Sequence, residues 1–179
     1  MLYPCNIVMW ACLLFALIKN KEGKLAKFLI DYIFWFGIIS STVGMFANVD
    51  FIRNPSLKNF DVTKGIISHG VLFLNSILLV SFNYVKIDFI RNMLNIAISV
   101  IMMFIIGLYN NLLVSVIGTV DYAYEVNSMF LIHSPFDGIN FLTYPVIAII
   151  ALILYFIIFN ICELIIYKKG NRWFDKIKT

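Results

Sequence analysis

The chain has 179 residues, of which 61% are hydrophobic and only 13% charged, with a formal net charge of +4 and a mean hydropathy of +0.91. A soluble domain averages roughly 45–50% apolar and about 25% charged residues, so these charges are too few to cover a water-soluble globule of 20.6 kDa. The same balance excludes a disordered chain, a nucleic-acid binder and a disulfide-stapled secreted scaffold, which leaves an integral membrane protein.

Taken in chain order, the apolar segments are residues 2–18, 28–47, 65–85, 93–120 and 141–167, followed by a basic tail at 168–179. Each crossing needs about 20 mostly apolar residues, so the sequence predicts an all-α, polytopic transmembrane bundle of five spans in one domain. All-round apolarity without period-2 alternation fits lipid-embedded helices and not barrel strands. No Lys or Arg precedes Lys19 and no small-residue cleavage site follows the first apolar run. That run therefore reads as a mature span and not a signal peptide, and a preceding helix is expected to be missing from the bundle.

The basic residues orient the spans. Lys19, Lys21, Lys24 and Lys27 lie in the first loop, Lys86 and Arg91 in the third, and Lys168, Lys169, Arg172, Lys176 and Lys178 in the tail: 11 of the 14 Lys and Arg. The second loop holds the other 3, Arg53, Lys58 and Lys64, and the fourth holds none. By the positive-inside rule the first loop, third loop and tail face the cytoplasm of a multi-pass cell-membrane protein, and the amino terminus faces outward.

Ionisable and polar groups inside a span each need a reason. Asp31 stands four residues after Lys27, the spacing of a helical ion pair at the headgroups. Glu163 precedes Lys168 and Lys169 and is expected to snorkel toward the cytoplasm. His69 is placed roughly 6–8 Å inside the outer start of the third span at 1.5 Å per residue. Ser76 and Asn83 follow it at heptad spacing on one face, as candidate substrate-binding residues. Such a stripe should point into the bundle, where a neighbouring helix can satisfy it by hydrogen bonding. Cys5 opens the first span from the same side, and a thiol beside an imidazole supports Cys–His covalent catalysis. Cys12, one heptad inward, is read as a packing residue. Cys162 lies near the other surface, so three depths argue against an internal disulfide.

The fourth loop holds Asp121, Glu125, Asn127, His133 and Asp137 among aromatic residues. Its acidic spacing matches no defined metal site, and neither a metal nor a cofactor is expected; an interfacial cap is the alternative. No P-loop, nucleophile elbow or H-E-x-x-H motif occurs. Gly44, Gly107 and Gly118 look scattered and give no helix-packing stripe.

The ordered elements LYPCNI, FWFG, His69-Gly70, NSMFLIHSP and FLTYP together resemble the YwaF-like bacterial integral membrane protein family, relatives of the animal transmembrane protein 164. The resemblance covers nearly the whole chain. It implies a membrane acyltransferase that moves fatty acyl chains onto lysophospholipids through a cysteine and a histidine, here Cys5 and His69, with Asn127 matching a loop asparagine. The family's histidine two residues before the cysteine is replaced by Tyr3, and its loop Asn-Tyr pair reads Asn127-Ser128.

Two other classes of function compete with the acyltransferase. A small-solute transporter would line a path with His69, Ser76, Asn83, Asn95, Asn110 and Asn111, although no inverted repeat is evident. A non-catalytic membrane subunit would act through partners. Membrane lipids are the expected partners in the first reading, nucleic acid is not, and a homo-oligomer or the missing helix would complete the bundle.

Overall fold

In the computed structural model, residues 3–46, 58–117, 127–131 and 140–177 are described. They form α1 (Pro4–Leu17), α2 (Lys24–Phe46), α3 (Phe60–Ser81), α4 (Phe89–Ile117), a 3-10 turn at Ser128–Phe130, α5 (Tyr144–Ile166) and a short tail helix α6 (Trp173–Ile177). No strand occurs among the described residues. Four of the helices are long and apolar enough to cross a membrane, and α1 is a shorter apolar helix.

Local chemistry fixes the ends. Pro4 occupies the start of α1, where its missing N–H costs nothing. Lys21 closes the other end by donating to the Phe15 and Ala16 carbonyls, with its ammonium 4.3 Å over the Phe15 ring. At the start of α4 the Asp88 carboxylate accepts from Arg91 N at 2.9 Å while Asn92 Oδ1 accepts from Asp88 N at 2.7 Å. This is a reciprocal cap of the Ser-x-x-Glu kind built from other residues.

The organising element is α2. Every residue from Leu29 to Gly37 is buried, so the helix has neighbours on all sides. Against it pack α1, α3 and α4, and α4 in turn packs against α5 and the 3-10 turn. Two kinds of side chain make this work. Aromatic rings fill the side toward α5: Phe36 and Tyr155 lie 5.0 Å apart between centroids, and Trp35 meets both Tyr155 and Phe159. Small residues line the side toward α3, where a Cβ on Gly37 would overlap Ser76 Oγ and a Cβ on Gly44 would overlap the His69 ring. Ser41 lies between the two glycines and is fully buried. Gly37, Ser41 and Gly44 thus form the small-residue seam by which membrane helices approach closely. The scattered-glycine expectation fails because the seam pairs Gly44 with Gly37, not with Gly107.

The end of the bundle that carries Lys19–Lys27, Lys86 and Lys168–Arg172 is the lysine-rich end. Here two sequence expectations are corrected. Asp31 does not pair with Lys27: it is 2% exposed and bonds Arg91 at 3.1 Å and Asn95 Nδ2 at 2.7 Å, both from α4. Lys27 turns outward and pairs with Glu22 at 3.4 Å. Glu163 does not snorkel: it is 3% exposed and accepts from Trp173 N at 3.0 Å. The tail doubles back so that Trp173 stacks on Phe89 at 4.2 Å and donates its indole N–H to Asn160 Oδ1 at 3.0 Å. In both cases hydrocarbon excludes an unpartnered charge, and the partner is not the nearest lysine: Asp31 takes a side chain sixty residues away and Glu163 a backbone N–H ten residues on.

Candidate active site

Cys5 is the second residue of α1, and His69 lies in the third turn of α3. The thiol is half-buried and makes a 3.5 Å contact with Asn6 Oδ1. The imidazole Nδ1 lies 2.8 Å from the Gly65 carbonyl oxygen. A carbonyl can only accept, so the proton of this bond sits on Nδ1. Gly44 makes room for that ring against α2.

Gly37 sets the heights of α1 and α3. Val8 Cγ1 and the Ser76 side chain both approach this glycine, so Val8 and Ser76 stand level on helices that run in the same direction. Cys5 is three residues above Val8 and His69 seven above Ser76. The difference of four residues is about 6 Å, or one turn, at 1.5 Å per residue. Both side chains therefore belong to the half of the bundle away from the lysine-rich end. α3 begins at Phe60, five residues before the predicted start at Gly65. Nine residues of helix put His69 about 13–14 Å from Phe60. The 14 residues of α1 span only about 21 Å against a hydrocarbon thickness of about 30 Å.

The other candidate residues separate. Ser76 is fully buried, and its hydroxyl donates to Leu72 O at 2.9 Å and to Ile33 O across the helix pair at 3.2 Å. It joins helices. Asn83 falls beyond α3, exposed and at φ 58°. Its N–H bonds Val80 O and that of Tyr84 bonds Leu79 O, both at 2.9 Å. This is the left-handed helix stop that asparagine tolerates, so the heptad stripe from His69 ends at Ser76. Asn127 leads into the 3-10 turn, whose described bonds run to α4. Asn110 Nδ2 donates to Ser128 Oγ at 2.6 Å, while Asn111 donates to Ser128 O at 3.3 Å and accepts from Ser128 N at 3.0 Å. Asn110 and Asn111 therefore hold the loop, not a solute path. Asp121, Glu125, His133 and Asp137 lie outside the described residues. Among the described residues no three His, Cys, Asp or Glu side chains gather to hold a metal.

One feature escaped the sequence reading. A groove of about 230 Å³ runs between α1 and α3 toward the lysine-rich end, lined by Cys12, Phe15, Leu78, Leu79 and Phe82 with Ile33 as its floor. Asn75 also lines it. Its amide is exposed and makes no hydrogen bond with the described residues. The sequence signal was present, since Asn75 interrupts an apolar run, but the stripe through Ser76 drew the reading one residue past it.

Long apolar helices around a buried central one, with polar groups matched inside the bundle, define a multi-pass integral membrane protein. The family model described as the TMEM164 family matches residues 1–162. The chain belongs to that family. No curated protein and no solved structure matches it.

Proposed function

We propose that this protein is a membrane-embedded lipid acyltransferase in which Cys5 is the nucleophile and His69 the general base. The observation that carries the reading is the fixed imidazole of His69, whose Nδ1 is held 2.8 Å from Gly65 O. Family membership and the common half of the bundle occupied by Cys5 and His69 support it. His69 takes the thiol proton as sulfur attacks the ester carbonyl carbon of a donor phospholipid. The carbonyl carbon–alkoxy oxygen bond breaks, the departing hydroxyl takes the proton from His69, and a thioester remains on Cys5. A lysophospholipid hydroxyl then attacks the thioester while His69 accepts its proton. The carbon–sulfur bond breaks and the thiol recovers the proton, so atoms and charges balance. In the first turn of α1 Pro4 has no N–H, and those of Asn6 and Ile7 are given to Tyr3 O, so the Cys5 N–H is the backbone donor offered to the oxyanion. The 11-to-3 split of basic residues supports a cytoplasmic lysine-rich end, with the site toward the outer leaflet.

The test is labelling in membranes with an alkyne fatty-acyl phospholipid. A hydroxylamine-sensitive adduct is expected on the wild-type protein, absent in Cys5→Ala and reduced at least tenfold in His69→Ala. An adduct that persists unchanged in Cys5→Ala refutes the reading.

A further inference from the structure

Asn75 poses a physical question. It stands six residues, about 9 Å, from the Ser81 end of α3 at 1.5 Å per residue, with its amide exposed on the wall of the α1–α3 groove. In hydrocarbon each unsatisfied amide group costs several kcal/mol, so whatever fills the groove must bring a polar atom to this height. Below Asn75 the lining is apolar, Cys12 and Phe15 from α1 and Leu78, Leu79 and Phe82 from α3, until Tyr84 closes the lysine-rich end. The occupant is thus polar at the height of Asn75 and apolar from there down to Tyr84. At about 230 Å³ the groove is smaller than the roughly 300–1,000 Å³ of pockets for drug-sized ligands, which suits part of one chain and not a bulky headgroup.

The heights locate that polar point. Asn75 is one residue above Ser76, and Cys5 is three above the level Val8, so the two differ by two residues, or about 3 Å. Both side chains lean toward the N-termini of helices that run in the same direction, so the Asn75 amide stays about 3 Å below the Cys5 thiol. Cys5 also stands one heptad above the groove-lining Cys12, on the same face of α1. We infer that the α1–α3 groove holds the acyl chain of the lipid substrate, with its carbonyl oxygen accepting a hydrogen bond from Asn75 Nδ2 beside Cys5. This deepens the acyltransferase reading and rests on it for the role of Cys5. Chain occupancy of the groove does not. Asn75 makes and breaks no covalent bond: its N–H donates to the carbonyl oxygen as negative charge develops there.

The experiment uses the full chain in phosphatidylcholine–phosphatidylglycerol nanodiscs containing a phospholipid with a diazirine at mid-chain. After irradiation, adducts are mapped by mass spectrometry. Adducts should concentrate on residues 12–15 and 75–82, fall at least fivefold in Leu79→Trp, which fills the groove, and be unchanged in Ile153→Trp on the exposed side of α5. Asn75→Leu should keep the crosslinks yet lower Cys5 acylation about 100-fold, in the range for loss of one oxyanion donor, while Asn75→Gln recovers part of it. If Cys5→Ala leaves acylation intact but the crosslinks follow this pattern, the catalytic reading falls and groove occupancy stands. Crosslinks spread evenly over all lipid-facing helices, or insensitive to Leu79→Trp, overturn groove occupancy. So does Cys12–Cys12 crosslinking between two copies, which would identify a second chain as the occupant. Acylation unchanged in Asn75→Leu overturns the carbonyl contact.

Discussion

Replacing Gly37 by alanine tests the seam on which the whole arrangement rests. The added Cβ would overlap Ser76 Oγ, while Ser76 Cβ at 3.4 Å and Val8 Cγ1 at 3.7 Å remain at ordinary contact distances. Nearly all the strain therefore comes from a single oxygen. Overpacking of this kind costs typically 1–3 kcal/mol, offset in part by the better helix propensity of alanine, by up to about 1 kcal/mol. Ser76→Ala alone removes the interhelical bond to Ile33 O, for which membrane proteins give on average ~0.6 kcal/mol. In Gly37→Ala/Ser76→Ala the offending oxygen is gone and two methyl groups meet at contact distance. The double variant should then be no less stable than Gly37→Ala alone, with a coupling energy of about 1–2 kcal/mol, inside the range for residues in contact. The assay is reversible unfolding in mixed micelles by dodecyl sulfate titration, followed by far-ultraviolet circular dichroism. Additive single and double effects would refute the close approach of α2 and α3 at this point, and with it the common height assigned to Val8 and Ser76.

Three further outcomes follow from other contacts. Gly44→Val should displace the His69 ring and lower hydroxylamine-sensitive acylation as far as His69→Ala does, whereas Gly70→Val, whose Cβ meets nothing within 4 Å, should leave it unchanged. Arg91→Leu strands the buried Asp31 carboxylate and should destabilise the bundle by about 2–3 kcal/mol, below the 3–5 for a fully buried pair because the Arg91 side chain is 39% exposed. Asp31→Leu/Arg91→Leu should recover most of that loss in the same titration. Asn111→Ala removes two of the bonds that hold Ser128; limited proteolysis in nanodiscs should cleave near residues 127–131 several-fold faster, and an unchanged rate would assign the docking to the Asn110 bond and the buried Met129.

The spans were legible because membrane insertion is decided by local apolarity: each predicted segment overlaps one long helix, α1 and α5 lying inside theirs while α2, α3 and α4 begin four or five residues earlier. Their ends were less so, since an end is set by caps. Asn83 stops α3 through a left-handed backbone that apolarity does not register, and Asp88 starts α4 through bonds to Arg91 and Asn92. Polar partners were the least legible. Asp31 has a lysine four residues away and takes an arginine sixty residues away instead, because its side of α2 faces α4. Spacing along one helix does not say which of its sides another helix will cover. The glycine seam was hidden for the same reason: Gly37 and Gly44 become a pair only when α3 is laid against them.

The central position of α2 has a mechanical consequence. α1 and α3 are both held chiefly by α2 and little by each other, and both meet the same residue of it, Gly37. The Ser76 hydroxyl bonded to Ile33 O pins α3 at that point. The space between the two outer helices is then a slot backed by one post and open at its side. A membrane-dissolved molecule would reach that slot without passing through water, while the buried ion pair at Asp31 ties the post to α4.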